Sequence, residues 1–141
     1  MCDLCIIYDS QFTRLFEMKD YFIEKEGECF AGYHLIADFW GADKLDDINF
    51  IEETLKAASI AGKCTILDTY FHHFPVNKGV SGVVTLAESH ISVHTWPECN
   101  FAAFDVFMCG ENASPQKAIE TLKKAFNPDK VELTEIKRGK K

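Results

Sequence analysis

The stretch from residue 79 to residue 110, GVSGVVTLAESHISVHTWPECNFAAFDVFMCG, does most to restrict what this chain can become. Polar and apolar residues alternate along much of it, and it is rich in β-branched and aromatic residues, which suit a pleated, half-buried surface better than a helix. Strands are predicted at 80–87, 91–96 and 101–108, punctuated by Gly79, by Glu88-Ser89-His90 and by Pro97-Glu98-Cys99-Asn100. Successive strand residues point to opposite faces, so Ser81, Glu88, Ser89, His90, His94, Trp96, Glu98, Asp105 and Cys109 are held at fixed heights on a sheet. A serine at a tight connection such as 88–89 can turn its hydroxyl back on the preceding carbonyl, where the backbone is open to strain.

The remaining segments fit around that sheet. Residues 33–40 alternate as a first strand closed by Gly41, and 64–74 form a further strand. Residues 46–61 place Ile48, Ile51, Leu55 and Ala58 on one helical face, ending before Gly62. Ser114 and Pro115 open a second helix as cap and first residue; its stripe is Ala118, Ile119, Leu122, Ala125 and Phe126, and Asn127-Pro128 ends it. Val131, Leu133 and Ile136 mark a last strand. Upstream, Phe12, Leu15, Phe16, Phe22 and Ile23 recur at near-helical spacing, which predicts an amphipathic helix over 10–26. One-faced helices and hairpin-linked strands predict an α+β fold, a two-layer sandwich with helices packed on one face of a mainly antiparallel sheet. The chain of 141 residues, 47% hydrophobic and 13% aromatic, makes one core. It divides into an N-terminal extension over 1–31, read as helical, and a domain over 32–141.

A net charge of −7 argues against general nucleic-acid binding, since the only basic run is the tail Lys137, Arg138, Lys140 and Lys141. An acidic surface suits a cationic substrate, and equally ordinary solubility. The apolar stretches are too short and interrupted to span a membrane. Six cysteines without a signal peptide read as reduced, cytoplasmic thiols. Cys2 and Cys5 form a CxxC with no second half at ligand-like spacing. His90 and His94 on a strand stand roughly 13 Å apart, too far for one ion. No metal is called for.

The run AESHISVHTWPE followed by AAFDVFMCG resembles the signature of the prokaryotic S-adenosylmethionine decarboxylases, small pyruvoyl-dependent proenzymes of polyamine synthesis. GYHLIADFWG, TYFHHF and GVSG agree in order and approximate spacing, so the resemblance spans about 32–138. It implies autocatalytic serinolysis at Glu88-Ser89: the hydroxyl attacks the Glu88 carbonyl, the amide becomes an ester, β-elimination splits the chain, and Ser89 becomes a covalent pyruvoyl group. By the same resemblance Ser81 and His94 assist processing, His94 as proton acceptor, and Cys109 is the proton donor in turnover. The pyruvoyl carbonyl would take the substrate amine as a Schiff base and accept the electrons released by decarboxylation. Phe74 and Trp96 would wall the adenine pocket and Glu98 would hold the ribose hydroxyls. A homodimer of processed protomers, or a higher oligomer, is implied, with sites at or near its interface and Phe74 and Ser81 serving either the same chain or its neighbour. The sequence departs from the family at Tyr33, where a basic residue is common, and at His73, where arginine is.

Taken singly these residues have plainer readings: a strand cysteine is a small hydrophobe, a histidine is a hydrogen-bonded surface or core group, and a serine beside glycine is a turn residue. Their joint occurrence at family spacing is what favours chemistry. A second reading keeps the pyruvoyl group and changes the substrate to arginine or ornithine. A third makes the chain a non-catalytic homologue that regulates an active partner. A cysteine hydrolase built on Cys109 and His94 lacks an oxyanion motif.

Overall fold

The computed structural model describes residues 21–141. Two three-residue strands come first, β1 (Ile23–Lys25) and β2 (Glu28–Phe30), paired antiparallel. They are followed by β3 (Gly32–Trp40), α1 (Ile48–Ala61), β4 (Ile66–His73), β5 (Val80–Leu86), β6 (Ser89–Trp96), a 3₁₀ turn at Pro97–Cys99, β7 (Phe101–Cys109), α2 (Pro115–Phe126) and β8 (Lys130–Arg138). From β3 onward the succession is the predicted one.

The opening hairpin is a correction. At residues 23–26 the expected helix is replaced by a strand and a turn, with Glu26 and Gly27 at φ of 53° and 79°. Two successive left-handed residues match the twist that a two-residue hairpin loop requires. Ile23 and Phe30 face each other across the ribbon and are both buried. Phe30 packs edge-on against Tyr33, with ring centroids 4.9 Å apart. Tyr33 thereby gains a partner from outside the stretch that resembles the family. Residues 10–20 of the expected helix, and the Cys2/Cys5 pair, lie outside the described residues.

The main sheet has six strands in the order β4-β5-β6-β7-β3-β8, and every neighbouring pair is antiparallel. Strands β4 to β7 follow one another as hairpins, while β3 is inserted between β7 and β8. The buried stripes of both helices, Ile51, Leu55 and Ala58 on α1 and Ala118, Ile119, Leu122 and Phe126 on α2, join one core with Leu35, Phe39, Val84, Ile91, Phe104 and Val106 from the sheet. Asp47 caps α1 by accepting the Phe50 N–H at 3.0 Å. Ser114 stands at the cap position of α2 as predicted, but its hydroxyl makes no capping bond; Pro115 sets the first turn by its fixed φ instead.

Alternation then assigns the other face. On β7 the residues Ala102, Phe104, Val106 and Met108 are buried, and Phe101, Ala103, Asp105, Phe107 and Cys109 between them are partly open. Ser81, His94 and Trp96 share that open side. No helix among the described residues covers it, so Ser81, His94 and Asp105 lie on the uncovered layer of a two-layer sandwich, while Ser89 pairs with the buried Leu86 and Met108.

Candidate active site

The site starts from the turn between β5 and β6. Leu86 and Ser89 are the last paired residues of the hairpin, so Ala87 and Glu88 make a two-residue loop. Ser89 leaves that loop with φ of 152°, a region in which a residue with a Cβ is strained. The strain lies at the peptide bond predicted to break.

Two neighbours, Cys109 and Thr65, hold Glu88 from different sides. Its carbonyl accepts the Cys109 N–H at 3.0 Å and the Cys109 thiol at 2.7 Å. Its carboxylate accepts the Thr65 N–H at 2.9 Å and the Thr65 hydroxyl at 3.4 Å. The Ala87 N–H donates to the Thr65 carbonyl at 2.9 Å, which ties the loop to the residue just before β4. Burial pushes the Cys109 thiol above its ordinary value, with the Glu88 carboxylate adding to the effect. Cys109 is therefore a thiol at neutral pH, able to donate a hydrogen bond. Cys64, next to Thr65, is pushed up to about 12, mainly by burial and then by the Glu88 charge.

Ser81 and His94 are cross-strand partners on β5 and β6, and Ser81 Oγ and His94 Nδ1 share a hydrogen bond of 2.8 Å. The register brings these two predicted residues together. It does not bring them to Ser89: they stand five residues along the hairpin from it, roughly 17 Å by strand rise. Phe74, Trp96 and Glu98 belong to the Ser81–His94 end. Phe74 follows β4 with its ring edge-on to His72 at 4.7 Å. Trp96 closes β6 in a ring stack with Phe101 and, beyond it, Trp40, at centroid separations of 5.2 and 4.3 Å. Glu98 is exposed in the 3₁₀ turn. His73, where the family carries arginine, donates from Nε2 to the Lys78 carbonyl at 3.1 Å and braces the loop that positions Phe74.

Between the two ends lies a polar cluster on the open face. Arg138 donates to His34 Nδ1 at 3.2 Å, so His34 carries its proton on Nε2 and gives it to Asp105 at 2.9 Å. Burial, followed by the neighbouring His34, lowers the pKa of His90.

A polarised carbonyl beside a strained serine is the arrangement of a chain that cuts itself; a hydrolase would need its nucleophile open to an outside substrate. The class is that of self-processing proenzymes on a two-layer α+β frame. The model of the S-adenosylmethionine decarboxylase family matches residues 33–139, and the chain belongs to that family. An S-adenosylmethionine decarboxylase proenzyme of Thermotoga petrophila is 46% identical over 111 residues, which cover 77% of this chain and 85% of the relative. That of Methanococcus vannielii is 46% identical over 110 residues, covering 77% and 89%. Among solved structures, the adenosylmethionine decarboxylase of Aquifex aeolicus shares the fold with a TM-score of 0.73 at 35% identity, over 78% of this chain and 92% of that one.

The family depends on a pyruvoyl group made by self-cleavage. The residues present fit such a group. Position 89 is a serine in a conformation that cleavage would relieve, and the carbonyl before it has two donors in place. Thr65 is the contact that sequence reading missed. It lies 23 residues from Glu88, bonds partly through its backbone, and sits in no motif.

Proposed function

We propose that this chain is a self-cleaving, pyruvoyl-dependent decarboxylase of S-adenosylmethionine, yielding the aminopropyl donor for polyamine synthesis. The observation that carries it is the 88/89 junction, with Ser89 at φ of 152° and the Glu88 carbonyl held by the Cys109 N–H and thiol. The relatives named with the site, all decarboxylases of this substrate by name, support it over the arginine or ornithine alternative.

Processing follows from the residues. The Ser89 hydroxyl adds to the Glu88 carbonyl carbon, and the growing negative charge on its oxygen falls between donors that are already aimed at it. The C–N bond breaks as nitrogen takes a proton, leaving an ester and a free amine. A base then removes the Ser89 Cα proton, the Cβ–O bond breaks, and Glu88 departs as a carboxylate. Water replaces the resulting nitrogen with oxygen, and ammonia leaves. His94, oriented through Nδ1 by Ser81, is the base.

Once formed, the pyruvoyl ketone supplies the electron sink for loss of carbon dioxide. Cys109, protonated because it is partly buried, returns a proton to the substrate carbon from Sγ. Phe74 and Trp96 offer faces to the adenine, and Glu98 offers two oxygens to the ribose hydroxyls.

Because Ser81, His94, Phe74, Trp96 and Glu98 stand at one end of the sheet and Ser89 and Cys109 at the other, one chain holds two half-sites. A homodimer whose open sheet faces meet would join them. Exposed apolar residues on that face, Ile36 at 38%, Trp40 at 41% and Ile136 at 39%, support such burial.

Denaturing mass measurement of the freshly purified protein should find two fragments, one ending at Glu88 and one beginning with the modified residue 89. Ser89→Ala should give a single full-length species that releases no carbon dioxide. An uncut wild-type chain that decarboxylates S-adenosylmethionine would overturn the proposal.

A further inference from the structure

We propose that the Glu88 side chain, clamped by Thr65, is a positioning group for the first step of self-cleavage. The inference rests on the self-cleavage reading and adds to it the means by which the acyl side of the bond is held still.

Ser89 can attack only if the Glu88 carbonyl carbon stays in its path. A two-residue hairpin loop is free to pivot about its ends, and a strained φ next to it gives a reason to pivot. Two donors on the carbonyl, both from Cys109, fix one point. A body held at one point still rotates. The Thr65 N–H and hydroxyl on the carboxylate, and the Thr65 carbonyl on the Ala87 N–H, fix a second point on the opposite side of the loop. Both anchors come from the chain segments that flank the hairpin on its two sides, the end of β7 and the residue before β4, so the Glu88 peptide is held between two supports on opposite sides of the loop. Relaxation of Ser89 towards an ordinary φ would swing the Glu88 carbonyl, and the clamp resists that swing. The step served is the acyl transfer alone: the Ser89 Oγ–carbonyl bond forms, the peptide C–N bond breaks, and the proton passes from oxygen to nitrogen. The clamp has no part in the later elimination, which begins at the Ser89 Cα.

The test reads cleavage rather than turnover. Refolded wild-type, Glu88→Gln, Glu88→Ala, Thr65→Ser and Thr65→Ala chains are followed by denaturing gel, with and without hydroxylamine, which cuts an accumulated ester at residue 88. Glutamine keeps an acceptor for the Thr65 N–H, so Glu88→Gln should cleave within about three-fold of wild type. Glu88→Ala loses every side-chain acceptor and should cleave at least about ten-fold more slowly, the scale of a charge-assisted hydrogen bond. Hydroxylamine should not restore it, because no ester builds up. Thr65→Ala should slow cleavage about three-fold, since it loses only the longer, hydroxyl bond, and Thr65→Ser, which keeps that hydroxyl, should cleave like wild type. The same substitutions made in Ser89→Ala should keep the parent's thermal midpoint.

If wild type cleaves and Glu88→Ala keeps pace with it, or if hydroxylamine rescues Glu88→Ala, the clamp is refuted while the cleavage reading stands. If wild type itself stays whole, the cleavage reading falls first. Should Glu88→Ala not fold, a Thr65→Ala chain as fast as the Thr65→Ser chain refutes the clamp by itself.

Discussion

At the scale of single residues, two cysteines flank the Glu88 carboxylate with raised pKa values and different consequences. Cys109 uses its retained proton: it points Sγ–H at the scissile carbonyl. The rate of self-cleavage should therefore not fall on the alkaline side until the pH exceeds the ordinary thiol value of 9.0, a limit that a pH series of refolding chains would reveal. A decline already complete below that value would mean that the thiol is not the donor. Cys64 has only a stability effect. In the unfolded chain it ionises near 9.0 and in the folded chain near about 12, so between these values the unfolded state binds fewer protons and stability falls as pH rises. In a Ser89→Ala background, Cys64→Ala should show a smaller drop in thermal midpoint across that window than its parent; equal drops would dismiss the effect. Ser89, His94 and Cys109 stood out as candidates in the sequence because together they match a family pattern of unusual residues. The bonds on Glu88 were not, because Cys109 and Thr65 lie 21 and 23 residues away and two of their four donors or acceptors there are backbone atoms.

At the scale of elements, β-branched and aromatic content, with alternation along β3, pointed to the strands of the main sheet, and a one-faced apolar stripe revealed both helices. The β1–β2 hairpin was invisible to the same reasoning. Three-residue strands complete too little of an alternation to be counted, and Phe22 and Ile23 extended a helical spacing begun by Phe12, Leu15 and Phe16. What exposes it is a pair of positive φ angles at Glu26 and Gly27, and glutamate is a poor advertisement for that conformation. Elsewhere an element depends on a missing side chain. Gly82 on β5 is the direct partner of Phe71 on β4, and the Phe71 ring lies across it where a Cβ would be. Phe71 packs against the main core, so it cannot move aside without leaving a gap. Gly82→Ala should cost about 1–3 kcal/mol in denaturant unfolding of the Ser89→Ala chain, the scale of an overpacked core. A loss below half of the lower figure would show that the ring turns freely. The GVSG motif thus combines a packing requirement at Gly82 with the Ser81 hydroxyl beside it.

At the scale of the whole molecule, the separation of the two half-sites decides which chain serves which junction. Ser81 and His94 are five residues along the hairpin from Ser89, a distance no rotamer spans; they share the sheet face that the helices leave open with Cys109, while Ser89 stands at the hairpin end between Leu86 and Met108. A twofold interface places the same patch on both partners, so an open face laid on its copy can set the histidine end of one chain over the serine end of the other. Cleavage would then occur in trans, and this is open to a genetic test in mixed dimers. Ser89→Ala chains have no junction to cut but keep Ser81 and His94. His94→Ala chains keep the junction but lack the base, and alone should cleave at least about 100-fold more slowly, as expected when a positioned acid–base group is lost. Co-expressed and distinguished by tag length, the His94→Ala chain should be cut in the presence of the Ser89→Ala chain and remain whole without it. If the base acts on its own chain instead, the His94→Ala chain stays whole in every mixture, and the face-to-face dimer loses its catalytic purpose even if the two chains still associate.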